Sequence, residues 1–79
     1  MKIVIAGAGE VGSHLAKMLN NETNEVTVID ERQDRLDALA AITDVITVEG
    51  NPSTIGVLVQ AGAQYADLFI RIHANGASD

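Results

Sequence analysis

The chain contains no cysteine and no tryptophan, and its 79 residues include only one proline, one tyrosine and one phenylalanine. The absence of cysteine excludes disulfides, thiolate nucleophiles and zinc–thiolate sites, and it fits a reducing compartment. Hydrophobic residues make up 47% of the sequence but aromatic residues only 3%. The core is therefore built from alanine, valine, isoleucine and leucine, a composition typical of parallel sheets covered by helices.

Basic side chains are also scarce. Five lysines and arginines stand against eleven aspartates and glutamates, which leaves a net charge of −6. A chain with this balance is not expected to bind nucleic acid. Long apolar runs are absent too, because no stretch approaches the roughly 20 residues of a membrane helix. The N-terminus enters a strand pattern without a secretory signal, so we expect a cytoplasmic protein that does not insert into the membrane.

The most specific motif follows the apolar run at residues 3–6, where Gly-Ala-Gly-Glu-Val-Gly at 7–12 opens a helical pattern. In this context the spacing is typical of a dinucleotide-binding turn. Gly7 permits a tight turn, Gly9 lets a phosphate approach the backbone, and Gly12 lets the helix lie close to the sheet. The free amides and the dipole of the helix N-terminus attract the anion without a basic side chain.

A carboxylate about 20 residues further on is the second element of such a site. Asp30 follows the apolar strand pattern of residues 26–29, where it can accept hydrogen bonds from both hydroxyls of an adenosine ribose. Glu31 adds a second negative charge, and we expect Arg32 to be the only nearby cation that offsets the pair. The sequence therefore predicts NAD rather than NADP. In the alternative interpretation Asp30 only caps the next helix.

Four other polar residues near these motifs receive no chemical role. We expect Glu10 to face solvent at the helix N-terminus, where a carboxylate interacts favourably with the dipole. His14 is expected to be exposed on the first helix, and Arg71 to protect the edge of a strand. His73 is expected to belong to a tail. We predict no catalytic residue and no metal site.

Strand and helix patterns alternate along the chain, which predicts right-handed crossovers and a parallel sheet. The expected fold is α/β: a truncated Rossmann-like sheet of about four strands in the spatial order 3-2-1-4, with three helices. Residues 1–72 would form a partial nucleotide-binding domain, and 73–79 a tail. The predicted strands are 2–6, 26–29, 45–48 and 68–72, and the predicted helices are 10–20, 32–42 and one from Pro52, capped by Asn51, to Gly62.

Three phrases carry a family resemblance: GAGEVG, VTVIDE and VEGN. Together they resemble the N-terminal nucleotide-binding domain of Trk-type potassium-uptake regulators, also called the RCK or KTN domain, over residues 2 to about 70. The resemblance implies a non-enzymatic module that binds NAD(H), with ATP or ADP as alternative ligands. It also implies control of a membrane potassium channel or transporter, through which the module would be peripheral to the inner membrane. The expected cofactor-binding residues are Gly7, Ala8, Gly9, Glu10, Val11, Gly12, Asp30, Glu31, Arg32, Gly50 and Asn51.

The chain departs from the family pattern after the fourth strand, at residues 71–76, where family members continue into a threonine-containing turn and an acidic helix. We therefore expect a truncated or engineered half-domain. Two alternatives stay open: the cofactor-binding half of an NAD-dependent oxidoreductase, and an engineered minimal Rossmann fragment without activity. One face of strands two and three is expected to lack a helix, and Phe69 and Ile72 to lie on an open edge. Both features predict a homodimer or higher oligomer.

Overall fold

A computed structural model describes residues 1–73, and the rest of the predicted tail, residues 74–79, lies outside the described residues. Within 1–73 the strands are all parallel and lie in the order β3-β2-β1-β4. The predicted α/β Rossmann-like fold, with three helices and this strand order, is confirmed. The elements are β1 Lys2–Ala6, α1 Glu10–Leu19, β2 Glu25–Asp30, α2 Gln33–Ala40, β3 Ile46–Glu49, α3 Ile55–Gln60 and β4 Leu68–Arg71, with a 3-10 turn at Ala63–Tyr65 before β4.

Helices α1 and α2 cover one face of the sheet, because the first two crossovers both step in the same direction from β1. Ala16 of α1 and Leu36 of α2 are fully buried against this face. Alternate residues of the two central strands supply the other side of the core: Ile3, Ile5, Val26 and Val28. The strands carry apolar residues on their opposite face as well, which is typical of a parallel sheet.

Helix α3 lies on the opposite face, because the crossover from β3 to β4 runs back across the sheet. Val57 and Ala61 pack against Ile29 and Val48, and Ile29 has no exposed surface. The expectation that this face of strands two and three lacks a helix is therefore wrong. Ile46, at the start of β3, stays 49% exposed there.

The start of α3 also differs from the predicted one. The helix begins at Ile55 rather than Pro52, and Asn51 is not its cap. The Asn51 side-chain oxygen accepts a 2.8 Å hydrogen bond from the amide of Ser53, and its carbonyl accepts one of 2.9 Å from Thr54. These bonds close a turn ahead of the helix. Asparagine favours such turns because its side chain bonds to nearby backbone amides, which competes with helical hydrogen bonding.

The other predicted bounds lie within about two residues of those observed, as is usual for element ends. At the edge strand β4, Leu68 and Phe69 are 42% and 40% exposed. Ile72 lies beyond the strand, although its amide still donates a 3.0 Å hydrogen bond to the Ala6 carbonyl. Phe69 therefore lies on an open edge as predicted. Ile72 instead lies against the glycine turn at Gly7.

Candidate functional site

The chain leaves β1 through a turn that only glycine forms without strain. Gly7 has a φ of +126°, a conformation that other residues rarely adopt, and its amide donates a 2.7 Å hydrogen bond to the Ile29 carbonyl. Helix α1 then begins at Glu10, with Gly9 at the N-cap and no side chain bonded to the first amides. The turn thus places the N-terminus of α1 at the carboxyl edge of the sheet, with no side chain capping its first N–H groups.

Gly12 and Gly9 meet different surroundings. A Cβ on Gly12 would lie 1.8 Å from the carbonyl oxygen of Gly7, so α1 can cross the turn this closely only with glycine at that position. A Cβ on Gly9 would meet one atom within 4 Å, the Nη1 of Arg35 at 3.8 Å. The backbone at Gly9 is therefore accessible from outside, as the phosphate role predicted for it requires.

Asp30 ends β2 beside this turn and is only 8% exposed. Its Oδ2 accepts a 2.7 Å hydrogen bond from the amide of Ala8, and its Oδ1 accepts one of 2.8 Å from the amide of Arg32. One carboxylate therefore fixes both the glycine turn and the entry into α2. An ionised carboxylate has about four lone-pair positions, so two N–H donors leave capacity for ribose hydroxyls.

Arg32 is not the only cation near Asp30. The guanidinium of Arg32 binds Asp34 through two hydrogen bonds of 3.2 and 2.8 Å on the exposed side of α2. That hydrogen bonding raises the pKa of Arg32 and lowers the pKa of Asp34 below its ordinary value. Arg35, in contrast, places Nη1 3.9 Å from Oδ2 of Asp30. The expectation that Arg32 is the only nearby cation is therefore wrong.

Sequence reasoning missed Arg35, although a signal was available. It lies in the first turn of the helix that directly follows Asp30. A residue one turn into a helix can reach back to the strand end that precedes the helix, because side chains on a helix lean towards its N-terminus.

Two clefts open around these residues. A cleft of about 270 Å³ lies over the carboxyl ends of the central strands, where open α/β sheets bind their ligands. A second, of about 310 Å³, lies between α1 and α2. Arg35 lines both. The first is bordered by Gly7, Asp30, Glu31, Arg32, Pro52 and Ile72, and the second by Ala8, Gly9, Glu10, Ser13 and Leu39.

Not every predicted site residue borders these clefts. Gly50 lies beside the end of β2, because its amide donates a 2.9 Å hydrogen bond to the Asp30 carbonyl, but the neighbouring Pro52 is the residue that borders the first cleft. The side chain of Asn51 is bonded within its own turn. Val11 is 59% exposed and borders neither of the two. Glu10 is exposed, as expected, at the rim of the second.

The remaining polar residues singled out from the sequence lie outside the clefts. His14 and His73 are exposed. Arg71 is exposed on β4, where its Nη2 donates a 3.2 Å hydrogen bond to Oγ of Ser53. In residues 1–73, no three His, Asp or Glu side chains come together as a metal site would require. The same residues contain no helix of the length and apolar character needed to cross a membrane.

The family model described as the TrkA-N domain matches residues 3–78, nearly the whole chain. The chain belongs to the TrkA-N family. This membership confirms the resemblance drawn from the glycine motif and the strand phrases, and it extends the match beyond residue 70.

Individual TrkA-N relatives are similar over the same region. The Trk system potassium uptake protein TrkA of Haemophilus influenzae is 43% identical over 75 residues, covering 95% of this chain and 16% of that protein. The protein of the same name from Halomonas elongata is 47% identical over 72 residues, 91% of this chain and 16% of that protein. A TrkA homolog from Archaeoglobus fulgidus is 40% identical over 75 residues, 95% and 17% respectively. The chain thus spans about a sixth of the length of these relatives.

Proposed function

We propose that this chain is a nucleotide-binding regulatory module of a potassium-uptake system and that its ligand is NAD(H). The observation that carries the proposal is the buried carboxylate of Asp30, bonded to the amide of Ala8 and facing the cleft at the carboxyl edge of the sheet. In that position a carboxylate binds the adenosine ribose while the adjoining glycine turn accepts the phosphates. The relatives' names, potassium uptake proteins, support the regulatory context.

The site residues of the proposal follow from this geometry. The diphosphate would lie over Gly9 and the first amides of α1, and the adenosine in the cleft between Asp30 and Pro52. Gly7 and Gly12 would shape the turn, and Gly7 also borders the cleft proposed for the adenosine. Glu31 borders the same cleft and would repel a ribose 2′-phosphate, which favours NAD(H) over NADP(H). ATP and ADP share the adenosine and phosphates and are the alternative ligands.

We assign no catalytic step. The relatives compared above are named for potassium uptake, and nothing in them or in the clefts supports the oxidoreductase alternative. In a longer protein the module would act beside a membrane potassium channel or transporter subunit, on its cytoplasmic side, through contact with that partner rather than by insertion. Occupancy of the cleft would then be the signal passed on.

Calorimetric titration of the chain with NADH, NAD, NADPH, ATP and ADP tests the ligand. We expect NADH or NAD to bind more tightly than NADPH. The matched variant is Gly9→Val, which places methyl groups where the phosphate would lie. Apart from its neighbours in the chain, the added Cβ would have only Nη1 of Arg35 within 4 Å among residues 1–73, at 3.8 Å. Its folding should stay intact and its binding should be lost. Equal NADH affinity in wild type and Gly9→Val would exclude the assigned site.

A further inference from the structure

Arg35 differs from the other arginines of residues 1–73 in what its guanidinium contacts. Arg32 is engaged with Asp34 through two hydrogen bonds, and Arg71 donates to Ser53. Arg35 makes no side-chain hydrogen bond within that part of the chain, and its contact with Asp30 is a long one of 3.9 Å. Its guanidinium therefore borders both clefts and makes no hydrogen bond to another side chain or to the backbone of residues 1–73.

The position of Arg35 coincides with the open side of the glycine turn. Its Nη1 lies 3.8 Å from the point where a Cβ on Gly9 would stand, with no other atom of residues 1–73 so close except the neighbours of Gly9 in the chain, so it is within reach of a phosphate over the backbone of Gly9. Acidic side chains are the more numerous around it, since Asp30 and Glu31 border the first cleft and Glu10 the second, whereas the guanidinium of Arg32 is paired with Asp34. A cation beside the helix N-terminus would therefore strengthen the binding of a diphosphate by offsetting the repulsion from these carboxylates.

We propose that Arg35 is the residue that binds the diphosphate of the nucleotide and that it makes the site selective for phosphorylated adenosine. This inference rests on the function proposed above. A guanidinium forms paired hydrogen bonds with two phosphate oxygens, and these are stronger than bonds between neutral groups. The side chain is 45% exposed, so it can turn from Asp30 to the ligand without unpacking the core.

The ribose 2′-phosphate is the other phosphate that an arginine near this position could hold. Two features place Arg35 with the diphosphate instead. Its guanidinium lies next to Gly9, on the side of the glycine turn. A 2′-phosphate would also have to stand beside the carboxylates of Asp30 and Glu31, which border the ribose end of the cleft.

The test compares Arg35→Gln and Arg35→Lys with wild type, titrated with NADH, ADP, NADPH and the uncharged adenosine, followed by NMR for the weak ligands. Arg35→Gln should bind NADH and ADP about tenfold less tightly, since one charge-assisted contact is lost. Its adenosine affinity should not change. Arg35→Lys should lose less NADH and ADP affinity than Arg35→Gln, because lysine keeps the positive charge but cannot form the paired hydrogen bonds of a guanidinium. Arg71→Gln, at an exposed arginine that borders neither cleft, is the matched control and should change NADH affinity less than twofold.

Three results would overturn the inference while leaving the proposed function standing, provided that wild type binds NADH. These are unchanged NADH affinity in Arg35→Gln, an equal loss for adenosine and ADP, which would mean a structural role, and a loss confined to NADPH, which would mean that Arg35 contacts the 2′-phosphate. If wild type binds neither NADH nor ADP, the inference and the proposed function both fail.

Discussion

The backbone amide of Ala8 and the carboxylate of Asp30, 22 residues apart in the chain, are joined by a buried hydrogen bond of 2.7 Å. Through it, the residue expected to bind the ribose also holds the turn expected to bind the phosphates. The two halves of the proposed site are therefore not independent. A change at Asp30 should affect folding as well as ligand affinity.

Asp30→Ala should lower the free energy of unfolding by about 1–3 kcal/mol, because it leaves a buried amide of Ala8 without an acceptor. The variant should also bind NADH more weakly and discriminate less against NADPH. Asp30→Asn keeps one acceptor oxygen and should lose less stability. Urea denaturation measures the effect, with exposed Asp34→Ala as the control, expected within about 0.5 kcal/mol of wild type. Equal stability of Asp30→Ala and the control would mean that the Ala8 bond is not holding the turn.

Gly12→Ala should destabilise the protein by about 3 kcal/mol or more, because the added methyl group would lie 1.8 Å from the Gly7 carbonyl oxygen. Gly56→Ala is the matched control. It adds the same methyl group inside α3, where nothing lies within 4 Å, and should stabilise the helix by about 0.5–1 kcal/mol. Thermal unfolding followed by circular dichroism compares the two. A Gly12→Ala variant as stable as wild type would contradict the close crossing of helix and turn.

The glycine turn could be predicted from sequence because it depends on local signals, and the strand order because the glycine motif and the alternation of strands with helices indicate a doubly wound sheet. Apolar runs alternating with helical patterns fix a parallel sheet, and the glycines of the turn lie at the spacing that a tight crossing demands. The start of α3 could not be predicted, since Asn51 has two hydrogen-bonding choices and the sequence does not show that it bonds to Ser53.

The electrostatics of the site were harder to predict than its backbone. Arg32 is adjacent to Asp30 and Glu31 in sequence, but its long side chain turns outward to Asp34. Arg35 returns to Asp30 because of its place on the first turn of α2. Which of two arginines faces a carboxylate depends on side-chain direction on the helix, which residue spacing alone leaves open.

The pKa of Asp34 should be lower than its ordinary value, because Arg32 donates hydrogen bonds to the ionised carboxylate. A depressed pKa in the folded state adds stability above the unfolded value, and this stability is lost as the pH falls through the folded pKa. The contribution is small, since both side chains are well exposed. Carboxyl NMR titration measures the value, and Arg32→Gln should shift it back upward. If the pKa of Asp34 is the same in Arg32→Gln as in wild type, the ion pair between Arg32 and Asp34 is contradicted.

Self-association remains a prediction, now resting on the β4 edge alone because α3 covers the face once expected to be bare. Phe69 is 40% exposed on that strand, whose outer hydrogen-bonding groups can pair with another strand. Equilibrium sedimentation at micromolar concentration should show a dimer or higher oligomer, and Phe69→Lys should weaken it. Tyr65→Lys, at a 75% exposed position outside the strand, should not. A folded monomer without concentration dependence would rule the prediction out.

Ile72, the residue that follows β4, connects the end of the sheet to the glycine turn and to the first cleft. Its Cβ lies 3.2 Å from where a side chain on Gly7 would begin, its amide is bonded to the Ala6 carbonyl, and its side chain borders the cleft proposed for the nucleotide. The path by which the polypeptide leaves the sheet and the shape of the cleft are thus mechanically linked. A molecule that fills the cleft works against any pull that lifts Ile72, and by reciprocity such a pull lowers the affinity for that molecule.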